Sequence, residues 1–161
     1  MKRYLYILRH AKSSWGEPEK SDADRALKPK GIADIRSVAG KIGAKAMSVE
    51  LILSSHANRA IHTAVLFADT AAISLNRIVI YPGIYLADVE GLVQVVSEVD
   101  SGVSSLMLVG HNPSVTLLAN RFLHEPVNEI PTSGLAILQF QADSWNNISK
   151  STLVDSFTVF P

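Results

Sequence analysis

Two histidines stand at the ends of short apolar runs. Arg9-His10 closes Tyr4-Leu5-Tyr6-Ile7-Leu8, and His111 closes Leu106-Met107-Leu108-Val109-Gly110. An imidazole is a competent nucleophile and phosphoryl acceptor near neutral pH. If both runs are parallel strands of one sheet, their carboxyl ends deliver the two rings to one place, where such sheets gather their working groups. Successive side chains on a strand face opposite ways, so Arg9 and His10 can share a pocket only if the strand ends there. The small polar run Ala11-Lys12-Ser13-Ser14-Trp15-Gly16 is consistent with a turn at that point. Alone, the Arg-His pair would read as an ordinary strand cap.

A second segment changes that balance. Ser54-Ser55-His56-Ala57-Asn58-Arg59-Ala60-Ile61-His62-Thr63-Ala64 leaves another apolar run and enters a helix. An arginine on a first helical turn sits near strand ends, where its planar guanidinium can hold two phosphate oxygens. Taken singly, Arg59 is a solvent-facing helical arginine and His111 a turn histidine. Jointly, Arg9, His10, Arg59 and His111 come from three strand ends and make a pocket suited to a dianion, with one imidazole as nucleophile and the other as a further donor.

The elements that must position these residues alternate. Strands are expected at Tyr4 to Leu8, Leu51 to Ser54, Arg77 to Tyr81 and Leu106 to Val109. Helices are expected from Pro29 to Gly43, from Ala57 to about Ala71, around Leu92, Val95, Val96 and Val99, and from about Ser114 to Leu123. Leu135 to Gln141 and Leu153 to Phe160 read as two strands around a polar connection, pairing as an antiparallel edge. The order predicts a three-layer α/β/α sandwich with a mostly parallel central sheet.

Composition bounds the reading. The chain has 161 residues, 47% of them hydrophobic, which is expected to form one domain over residues 1–161. Lysine plus arginine equals aspartate plus glutamate at 15 each, so no overall field points to nucleic acid. With no cysteine there is no thiolate nucleophile, disulfide or thiolate zinc site. No histidine pair has a convincing metal-ligand spacing, no glycine-rich phosphate loop is present, and no apolar stretch is long enough for a membrane. A cytoplasmic protein without cofactor or metal is the expectation.

The blocks Leu8-Arg9-His10-Ala11, Ser54-Ser55 through Arg59-Ala60 to Thr63-Ala64, and Val109-Gly110-His111-Asn112-Pro113 resemble the histidine phosphatase superfamily, which has the phosphoglycerate-mutase-like fold. More narrowly, Arg9 to Trp15, Asp22-Ala23-Asp24-Arg25-Ala26-Leu27 with Lys30-Gly31, and Pro131-Thr132-Ser133-Gly134-Leu135 are similar to the SixA-type phosphohistidine phosphatases. The resemblance implies that His10 attacks phosphorus in line while Arg9, Arg59 and His111 hold the equatorial oxygens, and that water then hydrolyses phospho-His10.

The implied substrate is phosphohistidine on a protein, such as a histidine-containing phosphotransfer domain. The alternatives are a phosphomonoesterase for a small metabolite or a non-catalytic module that binds phospho-ligands. Lys12 and Ser13, in the turn after His10, are further candidates for phosphate contact, with Lys12 equally readable as solvated. Relatives acting on esters carry a glutamate after the third strand, where this chain offers Asp88 as a possible proton donor, although Asp88 or Glu90 would equally suit a helix N-terminus. An alkoxide leaving group needs an acid more than an imidazole does, so the lack of a strong acid candidate favours P–N bonds over P–O bonds. Trp15 and Tyr85 could line the mouth, while His56, His62 and His124 read as structural.

Overall fold

Strand β1 (Lys2–Arg9) sends Tyr6 and Leu8 into one hydrophobic cluster and Leu5 and Ile7 into another, so both of its faces are covered. That is the pattern of a strand sandwiched between helical layers. The computed structural model describes residues 1–15 and 19–161, with the backbone alone of residues 45–47. The Gly16 end of the turn expected after His10 lies outside the described residues.

Chain order is β1, α1 (Pro29–Ile42), β2 (Leu51–Ser54), α2 (Asn58–Thr70), β3 (Ile78–Ile80), α3 (Val89–Ser97), β4 (Ser105–Gly110), α4 (Ser114–Phe122), β5 (Leu135–Gln141) and β6 (Leu153–Val159). The sheet order is β3-β2-β4-β1-β5-β6. Strands β1 to β4 are mutually parallel, β5 runs antiparallel to β1, and β6 runs antiparallel to β5 at the edge. The expected sandwich with its antiparallel C-terminal edge is the observed fold. The third strand is shorter than expected, because Leu75–Arg77 forms a turn of 3₁₀-helix and pairing begins only at Ile78.

The crossovers explain which helix covers which face. The chain moves outward from β1 to β2 to β3 through α1 and α2, whose Ile35, Val38, Ala64 and Phe67 pack beside Tyr6 and Leu8. It then reverses through α3 and α4, whose Leu92, Val96, Val115 and Leu118 pack beside Leu5 and Ile7. Right-handed crossovers that step across parallel strands in opposite directions must lie on opposite faces, which sets α1 and α2 against α3. Helix α4, leading to the antiparallel β5, packs on the face of α3. Strand β4, wedged between β1 and β2, is buried throughout. Among the described residues no helix is long and apolar enough to cross a membrane.

Helix α1 starts with Pro29 at its first position, where a missing N–H costs nothing, and stops at Gly43, whose φ of 55° suits glycine. At the amino end of β1, the fully buried Arg3 donates to the carbonyls of Val103 (2.8 Å), Ser101 (3.0 Å) and Asp143, and its guanidinium lies 5.3 Å from the Trp145 ring. This charge satisfies loop carbonyls at the end of the sheet opposite His10 and His111.

Candidate active site

Strand β1 ends at Arg9 and β4 at Gly110, and these two residues are register partners. His10 and His111 are therefore the next residues out along neighbouring parallel strands. Their ring centroids lie 5.1 Å apart, close to the usual spacing between strands. Because regular pairing stops there, Arg9 and His10 both line one cleft of about 430 Å³, as the strand-end argument requires. Arg59, on the first turn of α2, enters from β2 on the far side of β4 and also lines it.

The loop after His10 is held from three directions. The Ala11 amide donates to Thr63 Oγ1 on α2 (2.9 Å), and the Thr63 hydroxyl donates to the Arg59 carbonyl (2.5 Å). The Lys28 amide donates to the Lys12 carbonyl (2.9 Å), and Ser13 makes a bridge with Leu27. Gly31 lets α1 approach this loop, since a Cβ there would sit 2.3 Å from the Lys12 carbonyl oxygen. On the other side the Ser133 amide donates to the His10 carbonyl (3.1 Å) from a left-handed conformation, φ 61°. These contacts give structural work to Thr63, Gly31 and the Pro131-to-Leu135 block.

The imidazoles are oriented individually. His10 is buried, and its Nδ1–H donates to the Ala11 carbonyl at 2.8 Å, which leaves the Nε2 lone pair unused. Burial, with added repulsion from Arg59 and Arg9, lowers its pKa to about 4. Around His111, Ser55 Oγ accepts from the Ala57 amide (3.2 Å) and lies 2.7 Å from His111 Nε2. A serine hydroxyl both donates and accepts, and in the tautomer where Ser55 donates to Nε2 the ring proton lies on Nδ1. Among the described residues that buried Nδ1 has no partner within the chain. Burial, then His10 and Arg59, lower the His111 pKa to about 3.

Arg9 donates through Nη1 to Glu129 Oε1 (3.0 Å) and the Ile130 carbonyl (2.9 Å), while its buried Nε has no hydrogen-bond partner among the described residues. Arg59 donates through Nη1 to the Asp22 carbonyl (2.7 Å) and through Nη2 to Asp22 Oδ2 (3.0 Å), and its Nε is likewise unpartnered. Buried donors left unmet are costly unless a ligand meets them. Two guanidinium Nε–H groups and the His111 Nδ1–H together suit an oxyanion with several oxygens.

The cleft also gathers residues the sequence did not single out as a site. Lys12, Ser13 and Trp15, which the sequence offered as candidates, line it, and so do Asp22, Arg25, Asn112 and Thr132, which it did not. Arg25 Nε pairs with Asp22 Oδ1 (3.1 Å), and its guanidinium stands 4.2 Å over the Trp15 ring. The Tyr85 hydroxyl donates to Asp22 Oδ2, and its ring meets those of His111 at 5.5 Å and His56 at 4.7 Å. Asp22 and Arg25 stood in the sequence block from Asp22 to Leu27, but spacing alone could not show which way that loop turns. Among the described residues no group of three or more histidines, aspartates and glutamates is placed to hold a metal ion.

Of the two readings open for Asp88, proton donor and helix N-terminus, the structure places it in the second. It caps α3, with Oδ1 accepting from the Gly91 amide at 2.8 Å, and is not among the residues lining the cleft. Glu90, in the first turn of that helix, pairs with Arg121. Asp88 thus caps the helix and Glu90 begins it, the two helix N-terminus placements that the sequence allowed. His56, His62 and His124 are exposed and outside the cleft lining.

Comparison with known proteins fits this arrangement. Residues 5–82 match the model of the histidine phosphatase superfamily (branch 1). The structure of the putative phosphohistidine phosphatase SixA from Agrobacterium tumefaciens is 32% identical, with 84% of this chain and 90% of that one covered and a TM-score of 0.76. The protein histidine phosphatase SixA complexed with tungstate superposes with a TM-score of 0.75 at 20% identity, covering 98% of this chain and 94% of that one. In Mycobacterium tuberculosis, the uncharacterized protein Rv1276c is 30% identical over 155 residues, 88% of this chain and 91% of the relative. The fold also extends to a mycobacterial glucosyl-3-phosphoglycerate phosphatase, with a TM-score of 0.60 at 14% identity over 99% of this chain and 98% of that one. The chain belongs to the histidine phosphatase superfamily and is of the SixA type.

Proposed function

We propose that the protein is a metal-independent phosphatase that removes phosphoryl groups from phosphohistidine on a partner protein by way of phospho-His10. The observation that carries this reading is the His10 tautomer. Its Nδ1–H is committed to the Ala11 carbonyl, so Nε2 faces the chemistry as a free lone pair within the cleft shared with Arg9, Arg59 and His111. In the first step Nε2 forms a bond to phosphorus while the bond to the leaving group breaks and its electron pair departs with that group. Arg9, Arg59 and the His111 Nδ1–H hold the equatorial oxygens as charge shifts, and Lys12 and Ser13 contribute from the loop after His10. Water then attacks phospho-His10, releasing phosphate and restoring the imidazole.

A protein substrate is supported by the SixA relatives and by the rim. The cleft opens beside exposed Lys12 and Trp15, the latter 82% accessible, so a phosphorylated side chain on a folded partner can approach. The test is rapid-quench labelling with a phosphorylated histidine-containing transfer protein. Wild type should transiently carry acid-labile phosphate and His10→Ala should carry none and turn over none. Preference for sugar or nucleotide phosphates would make it a small-metabolite phosphomonoesterase. Phosphate or vanadate binding without turnover would make it a binding module.

A further inference from the structure

We propose that Asp22 selects phosphorylated nitrogen over phosphorylated oxygen, by accepting a hydrogen bond from the protonated imidazole that leaves. The inference rests on the phosphatase reading above and assigns it a residue for the leaving group. Among the described residues lining the cleft, Asp22 is the one carboxylate. Its two oxygens offer about four acceptor sites. Arg59 Nη2 and the Tyr85 hydroxyl use Oδ2, while Arg25 Nε stands 3.1 Å from Oδ1 as an ion pair without a hydrogen bond, which leaves acceptor sites on Oδ1 in a side chain that is 53% exposed.

The partners of Asp22 also decide which chemistry it can serve. The Tyr85 hydroxyl and then Arg59 hold the carboxyl below its usual range, so it stays ionised. An ionised carboxylate has no proton to give. Opposite an ester, it would face an oxygen gaining negative charge as the P–O bond breaks, and would oppose that step. A phosphorylated imidazole is different. Protonated on its second nitrogen it is a cation, and when Nε2 of His10 bonds to phosphorus the P–N electron pair stays with the ring, which departs neutral with its N–H intact. No proton has to be supplied during cleavage. A carboxylate beside that N–H favours the protonated, reactive form on binding and keeps its hydrogen bond as the ring leaves.

Arg59 remains anchored without this carboxylate, because its Nη1 bonds the Asp22 backbone carbonyl at 2.7 Å. The charge on Asp22 can therefore be removed while one tether on the phosphate-binding arginine is kept. The experiment measures kcat/KM of wild type, Asp22→Asn and Asp22→Ser on a phosphohistidine protein and on an aryl phosphate, with thermal melting to confirm folding. The ratio of the two specificity constants should fall about tenfold to a hundredfold in both variants, the scale of a lost charged hydrogen bond. A fall of less than threefold in the folded variants overturns the assignment, since a role limited to bracing Arg59 would lower both activities together. Wild type inactive on phosphohistidine would overturn the phosphatase reading itself, and this inference with it.

Discussion

The rings of His10 and His111 stand 5.1 Å apart and tilted by 48°, His10 tied through Nδ1 to Ala11 in its own strand-end loop and His111 through Nε2 to Ser55 beyond β2. Such a pair cannot easily hold two protons. His10 is buried and His111 half-buried, each faces Arg59, and a charge on one opposes a charge on the other, so both are neutral near pH 7. An anion in the cleft reverses the electrostatic part of this balance.

Histidine titration by NMR should follow that sign. In the free protein the His10 and His111 signals should titrate far below 6.5, toward about 4 and about 3. Tungstate or phosphate should raise both, because the anion stabilises the imidazolium form. The nucleophile of the free protein then fails on acidification near pH 4 rather than near the ordinary histidine value. Two rings titrating near 6.5 in the absence of anion would contradict the buried, arginine-flanked arrangement.

The same shift links stability to pH. A folded-state pKa of about 4 for His10 lies below its unfolded value near 6.5, so between these limits the unfolded chain binds more protons. The His10 contribution is complete above the unfolded value and is lost as pH falls toward the folded one, by up to about 3 kcal/mol. Urea unfolding at pH 7 and pH 5 should show a smaller loss for His10→Gln than for wild type. Equal losses would mean that other groups carry the acid sensitivity.

Residues whose placement follows from local rules were legible in the sequence. His10 and His111 end apolar runs, and Arg59 opens a helix after another, so strand alternation and helix direction bring them to one edge. The cap at Asp88 was visible as an acid before a helix, although the same residue also invited a catalytic reading. Asp22 and Arg25 were harder. Their loop has neither strand nor helix period, and its course is set by distant contacts such as Lys28 to Lys12 and Arg59 to Asp22. The short β3 likewise reflects an edge position, where half of the pairing that would extend a strand is missing.

Ser55 is the positioning residue for His111. It is fully buried, accepts from the Ala57 amide and lies 2.7 Å from Nε2, and by donating its proton there it selects the tautomer with the ring proton on Nδ1. Ser55→Ala should lower kcat about tenfold to a hundredfold, as loss of a ring-orienting partner does, with a smaller change in KM. The His111 NMR signals should show a mixture of tautomers in the variant. A retained single tautomer with full turnover would assign the serine to packing alone.

Two glycines of α1 offer a matched test of how the loop after His10 is held. At Gly31 an added Cβ would lie 2.3 Å from the Lys12 carbonyl oxygen and 2.8 Å from its nitrogen, whereas at Gly40 nothing lies within 4 Å. Helix propensity favours alanine at both sites by roughly 0.5–1 kcal/mol. Steric overlap must outweigh that gain at Gly31, because the atom in the way is backbone and cannot rotate aside. Gly31→Ala should therefore destabilise by about 1–3 kcal/mol and lower kcat/KM, since Lys12 adjoins the Ala11 carbonyl that sets the His10 tautomer. Gly40→Ala should be neutral or mildly stabilising with normal turnover. Equal behaviour of the two variants in denaturant melts would show that the loop yields freely, and that α1 does not position His10.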